Sequence, residues 1–234
     1  MEFDVGKWLG KILYEPGNFK VLYEYSTNEK YLKEHINNRE VIGSSGAEKI
    51  SNLPSSYRDS IIDSLSSSVS EALETMCNNM NVIAVAFVEG MMKELAVCVF
   101  VKNPARMYQY IGDNEAGTVP LKLILNEESK ETLILNLANM GASTLLKGKF
   151  SSNIKNLEEI TKSSVPENLK KRLIEIVQHR NEFVHESKAK TLTDIDVKKI
   201  FDDVYDFLKW MGTVALKQNV PVNDPAYLVV SEHA

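Results

Sequence analysis

Apolar residues along this chain recur every three or four positions far more often than every second position, which is the spacing of one face of an α-helix. Proline and glycine are sparse inside these periodic segments. The clearest stripe follows Pro54 and consists of Tyr57, Ile61, Leu65, Val69, Leu73 and Met76. The pattern therefore predicts a mostly helical protein.

The N-terminal part of the chain predicts two helices and a break. The first helix covers about residues 5–14 and ends at Pro16-Gly17, because proline disrupts a helix interior. A weaker, charged helix follows at about 28–41, and Gly43-Ser44-Ser45-Gly46 predicts a flexible break. The later helices are predicted at about residues 54–76, 80–101, 129–146, 153–162, 164–180 and 193–218. In the last of these, six apolar residues are expected to face inward: Ile195, Ile200, Val204, Phe207, Leu208 and Met211.

Two segments lack the helical pattern. Residues 103–120 are rich in proline and glycine, so a loop or short helical turns are expected, and residues 121–125 fit either a short strand or one helical turn. From Val220 onward, two prolines predict an extended or disordered tail. The expected organisation is an N-terminal helical extension (1–53), a helical domain (54–218) with an insertion at about 103–128, and a tail (219–234).

Composition narrows the class of protein. The chain is 44% apolar and 25% charged, as in an ordinary globular protein. Its most apolar run, residues 81–101, is interrupted by Glu89, Lys93 and Glu94, so a buried helix is expected rather than a membrane span. The first residues lack the basic and apolar regions of a secretory signal, which predicts a cytoplasmic protein. Cys77 and Cys98 are then expected to be packed thiols.

A net charge of −5 argues against a protein that coats nucleic acid indiscriminately, so any nucleic-acid site must be local. The sequence contains no Walker A loop, no HExxH, no CxxC pair and no dinucleotide fingerprint. Neither a cofactor nor a metal ion is therefore expected.

The candidate chemistry lies in one hexapeptide, Arg180-Asn181-Glu182-Phe183-Val184-His185. A guanidinium binds phosphate oxygens in bidentate fashion, and a histidine can transfer a proton near neutral pH. On an ideal helix Asn181 and His185 lie one turn apart on the same side, whereas Arg180 lies about 140° around the axis from His185. Either the chain kinks here, or Arg180 and His185 meet counterparts from a second copy across a two-fold axis.

Neighbouring residues leave alternatives open. Glu89 lies in an apolar run, so it either faces a solvent groove or orients an active-site arginine or histidine. Arg180 could instead pair with Glu175, Glu182 or Glu186 on its own helix, with His185 packed at the helix end. Phe183 and Val184 are expected in the core or a dimer interface, and His179 at a helix edge.

The hexapeptide and its flanking helices resemble the HEPN family, whose ribonuclease members carry an arginine, usually a polar residue next, and a histidine four to six residues later. The resemblance covers roughly residues 54–218 and implies an all-α bundle of four to five core helices, here with extra N-terminal helices and a middle insertion. It further implies a metal-independent endoribonuclease that works as a homodimer with a composite site.

In such a site the resemblance makes His185 the general base or acid, Arg180 the group that stabilises charge on the phosphorane, and Asn181 a ligand of the phosphate or the histidine. Glu89 and Glu182 are candidate supporting residues. The ribose 2′-hydroxyl would attack the adjacent phosphate and leave 2′,3′-cyclic phosphate and 5′-hydroxyl ends.

The resemblance also implies a role as a toxin or antiviral-defence effector that cuts tRNA or mRNA, with an antitoxin or defence-system partner. Some relatives are silenced by modification of a tyrosine two residues beyond the histidine, but Ser187 occupies that position here. The alternative is a non-catalytic HEPN module that binds a nucleotide, RNA or a protein partner.

Overall fold

A computed structural model describes residues 1–43, 46–111, 124 and 129–229 of the chain. Its regular structure is almost entirely helical, which confirms the prediction of an all-α fold. The helices are α1 (Val5–Thr27), α2 (Glu29–Asn37), α3 (Ser55–Lys102), α4 (Lys130–Leu145), α5 (Phe150–Thr161), α6 (Glu167–Glu186) and α7 (Asp194–Lys217).

Helix α3 is the centre of the bundle and runs for 48 residues without interruption. The prediction of two separate helices, 54–76 and 80–101, was wrong. The helix continues through Asn78, whose Nδ2 donates both to the Glu74 carbonyl within α3 and to the Lys190 carbonyl, each at 2.9 Å. Most residues in the C-terminal half of α3 are buried, and α3 packs against α1, α4, α6 and α7. Its apolar surface is therefore covered on nearly every side.

Helix α1 continues through Pro16 to Thr27, so the predicted end at Pro16-Gly17 was wrong. A proline inside a helix costs about 3 kcal/mol. Three buried side chains on both sides of Pro16, namely Trp8, Ile12 and Phe19, belong to the main core, and α1 packs on α3 and α7. We infer that this packing offsets the cost of Pro16.

A short hairpin occupies the place of the predicted break. Helix α2 ends at Asn37, and β2 (Glu40–Gly43) pairs antiparallel with β3 (Gly46–Lys49). Gly46 has φ +118°, a conformation that favours glycine. Ser44 and Ser45 of the predicted break lie outside the described residues.

The C-terminal tail packs against the bundle as far as it is described. Strand β4 (Val222–Asn223) pairs in parallel with β1 (Phe3–Asp4), and Val220 and Val229 are both buried. In the middle of the chain, Pro104–Tyr110 form a 3₁₀ helix, one of the two forms expected there. The rest of the predicted insertion, including the undecided strand or turn, lies almost wholly outside the described residues.

Local signals fix the ends of the later helices. The Ser129 hydroxyl accepts from the Thr132 amide before α4, and Thr193 and Asp196 form a reciprocal capping box before α7. Five of the six residues expected to face inward on α7 are at least partly buried, but Ile195 is 60% exposed. Ile195 lies about 200° around the axis from buried Val197, so it points away from the core.

Both cysteines are buried and unpaired, as predicted. Burial raises the pKa of the Cys77 thiol to about 11 and that of Cys98 to about 12. Among the described residues, no helix combines the length and the apolar character needed to cross a membrane.

Candidate functional site

The hexapeptide lies on the last turns of α6, which run unbroken to Glu186. Ser187 caps the helix with a left-handed φ of +53°, and the Lys188 amide donates to the Glu182 carbonyl at 3.1 Å. The helix is therefore continuous through the hexapeptide, and by helical geometry Arg180 and His185 project about 140° apart. The alternative of a second copy stays a prediction.

Arg180 pairs with Glu89 on α3. Its Nη2 lies 2.5 Å from Glu89 Oε1, and the side chains are 22% and 50% exposed respectively. The ion pair thus joins α6 to α3, and none of the three glutamates considered on α6 takes this place. Glu89 faces a cleft, which is one of the two options open to it, and it also contacts Arg180.

Glu182 does not contact this pair. Its Oε1 accepts from Gln178 Nε2 at 3.0 Å, and its Oε2 lies 3.3 Å from Lys190 Nζ. Hydrogen bonds from Gln178 and Lys190 hold the pKa of the Glu182 carboxyl below its usual value. Glu182 therefore interacts with the segment between α6 and α7, and the structure does not bring it to Arg180.

A cleft of about 710 Å³, here called the α3–α6 cleft, opens beside the ion pair. Its walls are α3, α6 and the turn that precedes α5. The polar residues that line it are Glu89, Lys93, Lys149, Asn153, Arg180 and Asn181. The apolar side chains that line it are Met92, Leu146, Phe150 and Val177.

The cleft is locally basic although the chain is acidic. Three cationic residues, Lys93, Lys149 and Arg180, line it with the carboxylate of Glu89, whereas the chain carries a net charge of −5. Within the described ranges, neither Lys93 nor Lys149 lies within ion-pair distance of a carboxylate. Because the chain as a whole is acidic, any contact with nucleic acid requires a local basic site of this kind.

His185 lies outside this cleft. It follows Asn181 by one helical turn, and both residues are exposed. Val184 beside it is 49% exposed and Phe183 is half-buried, so the end of α6 presents a partly apolar surface. A single copy of the chain therefore places Arg180 and Asn181 at the cleft and His185 on the exposed helix end.

His179 is buried, with 7% of its surface exposed, so the prediction of a helix-edge position was wrong. It follows Ile176 by three residues and therefore continues the buried stripe of α6, a signal that the sequence did contain. Its Nε2 has no hydrogen-bond partner among the described residues. Burial, and then the nearby charge of Lys190, lower the pKa of His179.

The sequence did not single out three polar residues of the cleft: Lys93, Lys149 and Asn153. They come from two segments about sixty residues apart, and none belongs to a recognisable motif. In the part of the chain that the structure describes, no three His, Cys, Asp or Glu side chains are arranged to hold a metal ion.

The family of the chain is decided by a match that spans α3 to most of α7. Residues 48–211, well over half of the sequence, match the family described as RiboL-PSP-HEPN. The chain belongs to this family. No curated protein and no solved structure matches it. The HEPN resemblance drawn from the hexapeptide is thereby confirmed, and the α3–α6 cleft lies wholly within the matched HEPN region.

Proposed function

We propose that this HEPN protein is a metal-independent endoribonuclease. The observation that carries the proposal is the Arg180–Glu89 pair beside a basic cleft, with Asn181 on the same cleft. An arginine with a fixed position and a lysine-lined cleft suit a phosphodiester. The exposed histidine one turn further along α6 supplies the group that can move a proton.

The proposed reaction needs no group besides these side chains and the RNA. The ribose O2′ forms a bond with the adjacent phosphorus, the bond from phosphorus to O5′ breaks, and the products are a 2′,3′-cyclic phosphate and a 5′-hydroxyl. His185 takes the proton from the 2′-hydroxyl or gives one to the leaving O5′. Arg180 stabilises the charge that develops on the phosphorane, and Asn181 holds the phosphate or the imidazole. The requirement for a 2′-hydroxyl restricts cleavage to RNA.

The working unit of the proposal is a homodimer. Arg180 and His185 diverge on one continuous helix, so the His185 that serves each cleft comes from the second copy across a two-fold axis. Exposed Val184 and half-buried Phe183 supply apolar surface at the same helix end. Glu89 acts as a positioning residue for Arg180, whereas the Glu182 carboxylate is engaged by Gln178 and Lys190 and takes no part in the proposed step.

The cellular role proposed with this activity is that of a cytoplasmic toxin or antiviral-defence effector that cuts tRNA or mRNA. Its partner would be an antitoxin or another component of the defence system. Ser187 lies where a regulatory tyrosine would be required, so the partner is expected to act by another route.

A second candidate function is favoured by the separation of Arg180 from His185 in one chain. A HEPN module that acts without a second copy would hold a nucleotide, RNA or a protein partner at the cleft, with Arg180 as a phosphate ligand. Such a module binds RNA and leaves it intact.

The decisive experiment incubates purified protein with total RNA in the presence of a chelator and maps the new ends. Cyclic-phosphate and 5′-hydroxyl ends are expected. Arg180→Ala should lower the rate by about 10²–10³, and His185→Ala by about 10²–10⁴. Arg172→Ala, on the same helix but paired with Asp203, and His35→Ala on α2 are matched controls that should retain the rate.

Mixing the two inactive variants tests the composite site. A heterodimer of Arg180→Ala with His185→Ala contains one complete site, so random reassortment should restore about a quarter of the wild-type rate. No recovery on mixing would contradict the shared site. Full activity in either single variant would contradict the nuclease, and RNA binding without any cleavage would establish the second candidate.

A further inference from the structure

The α3–α6 cleft carries more cationic groups than the reaction itself uses. Arg180 is engaged by Glu89, whereas Lys93 on α3 and Lys149 before α5 line the cleft without an acidic partner among the described residues. Lysine side chains that remain unpaired beside a cleft bind an anion with little competition from the protein. These two lysines therefore indicate an anionic ligand.

The N-terminus of α5 adds to this positive region. Helix α5 has twelve residues, and Lys149 at its N-cap position makes no side-chain capping bond. The first amides of a helix lack partners within the helix and carry its positive dipole end, which favours a phosphate. Phe150, the first residue of α5, also lines the cleft, so this helix end lies at the cleft wall.

Asn153 provides an independent sign of a ligand. It lines the cleft and is only 8% exposed, and its Nδ2 donates to the Leu146 carbonyl at 2.8 Å. Its Oδ1 accepts no hydrogen bond from any described residue. A buried acceptor without a partner costs about 1–3 kcal/mol. A ligand that donates an N–H or O–H to Asn153 would remove that cost.

The remaining surface of the cleft suits a flat apolar group. Met92, Leu146, Phe150 and Val177 line the same cleft as the lysines and Arg180. The volume of about 710 Å³ lies within the range of pockets that hold small organic ligands. A phosphate, a flat ring and an N–H donor occur together in one nucleotide.

We propose that the α3–α6 cleft is a subsite for one unpaired ribonucleotide next to the scissile phosphate. Its phosphate lies on Lys93, Lys149 and the N-terminus of α5, its base packs against Phe150, and a base N–H donates to Asn153 Oδ1. A base in a duplex is stacked and its N–H groups are engaged, so the subsite selects single-stranded RNA. The inference rests on the proposed function in placing this nucleotide beside Arg180.

Binding of mononucleotides tests the subsite apart from cleavage. The full chain is titrated with each of the four ribonucleoside 5′-monophosphates and with inorganic phosphate, by calorimetry. At least one nucleotide should bind more tightly than phosphate, and Lys93→Ala and Lys149→Ala should each weaken it about tenfold. Lys155→Ala is the matched control, because Lys155 is an exposed lysine on α5 that does not line the cleft.

A second measurement compares cleavage of one RNA alone and annealed to its complement. The single strand should be cut at least tenfold faster, and Lys149→Ala should slow its cleavage more than Lys155→Ala does. A protein that cuts RNA but binds no nucleotide, or whose lysine variants match the wild type in both assays, overturns the subsite and leaves the nuclease intact. Lysine-dependent nucleotide binding without any RNA cleavage overturns the nuclease and retains the cleft as a nucleotide site.

Discussion

The contact between Gly90 and Trp8 joins helix α1 to helix α3, which carries Glu89. The substitution Gly90→Ala, which adds one methyl group at this contact, tests it. A Cβ added at Gly90 would lie 2.5 Å from Trp8 Cη2 and 3.2 Å from Cζ2. The Trp8 ring has little freedom to move. It is 6% exposed, its Nε1 donates to Glu94 Oε2 at 3.1 Å, and it packs edge-on against Phe87 at 6.1 Å between centroids.

Gly10 on α1 is the matched control, because it is exposed, lies inside a helix and has no heavy atom within 4 Å of an added Cβ. Alanine in place of glycine favours a helix interior by about 0.8–1.0 kcal/mol at either site. This gain in helix propensity is the same at both sites and therefore cancels when the two variants are compared. Overpacking costs about 1–3 kcal/mol. Gly10→Ala should therefore raise the free energy of unfolding. The free energy of unfolding of Gly90→Ala should be lower than that of Gly10→Ala by about 1–3 kcal/mol.

The assay is urea unfolding of both variants and the wild type, followed by far-UV circular dichroism under one set of conditions. Trp8→Leu removes the ring atoms that the new methyl meets, so the cost of Gly90→Ala should largely disappear in that background. Equal gains in stability at Gly90 and Gly10 would refute the packing of α1 on α3 as described.

Two further predictions concern buried titratable groups. Burial lowers the pKa of His179 in the folded protein. At pH values between the folded and the unfolded pKa, the unfolded chain therefore binds more protons than the folded chain. The free energy of unfolding should accordingly fall as pH drops below about 6.5. Urea midpoints across this pH range should fall less in His179→Gln than in the wild type, and an equal fall would contradict the assignment. Because burial raises the pKa of Cys77 to about 11 and of Cys98 to about 12, iodoacetamide near neutral pH should label both only after unfolding, as measured by intact mass. Rapid labelling of the native protein would contradict this.

The elements that the sequence predicted well are those with local signals. The caps at Ser129 and Thr193 lie beside the periodic segments that became α4 and α7. The continuation of α1 past Pro16 depends on packing against α3 and α7, so a local rule ended the helix there, and α3 was predicted as two helices because its regular apolar stripe was followed only to Met76. Ile195 was assigned to the core by its apolar character, although its angular position on α7 places it on the outer face.

The residues of the site likewise divide into those with a local sequence signal and those without one. Arg180, Asn181 and His185 form a motif along one helix, and Glu89 stands out as a carboxylate in an apolar run, so the sequence itself singled out these residues. Lys149 gives no such signal in the sequence, because it lines the cleft only when the turn before α5 packs beside α3 and α6. Which glutamate pairs with Arg180 was likewise decided by helix packing, since three candidates were nearer in sequence.

The strength of the Arg180–Glu89 pair bears on how the proposed site would work. Exposed ion pairs contribute only about 0–1 kcal/mol, and Glu89 is half exposed. A guanidinium has more N–H donors than one carboxylate uses, and here Glu89 engages Nη2. Arg180 can therefore keep its position on the cleft wall while its other donors bind a phosphate. Glu89 thus holds the Arg180 guanidinium in place without competing strongly with the phosphate for it, as a positioning residue requires. A buried ion pair would not leave the guanidinium free to bind the phosphate.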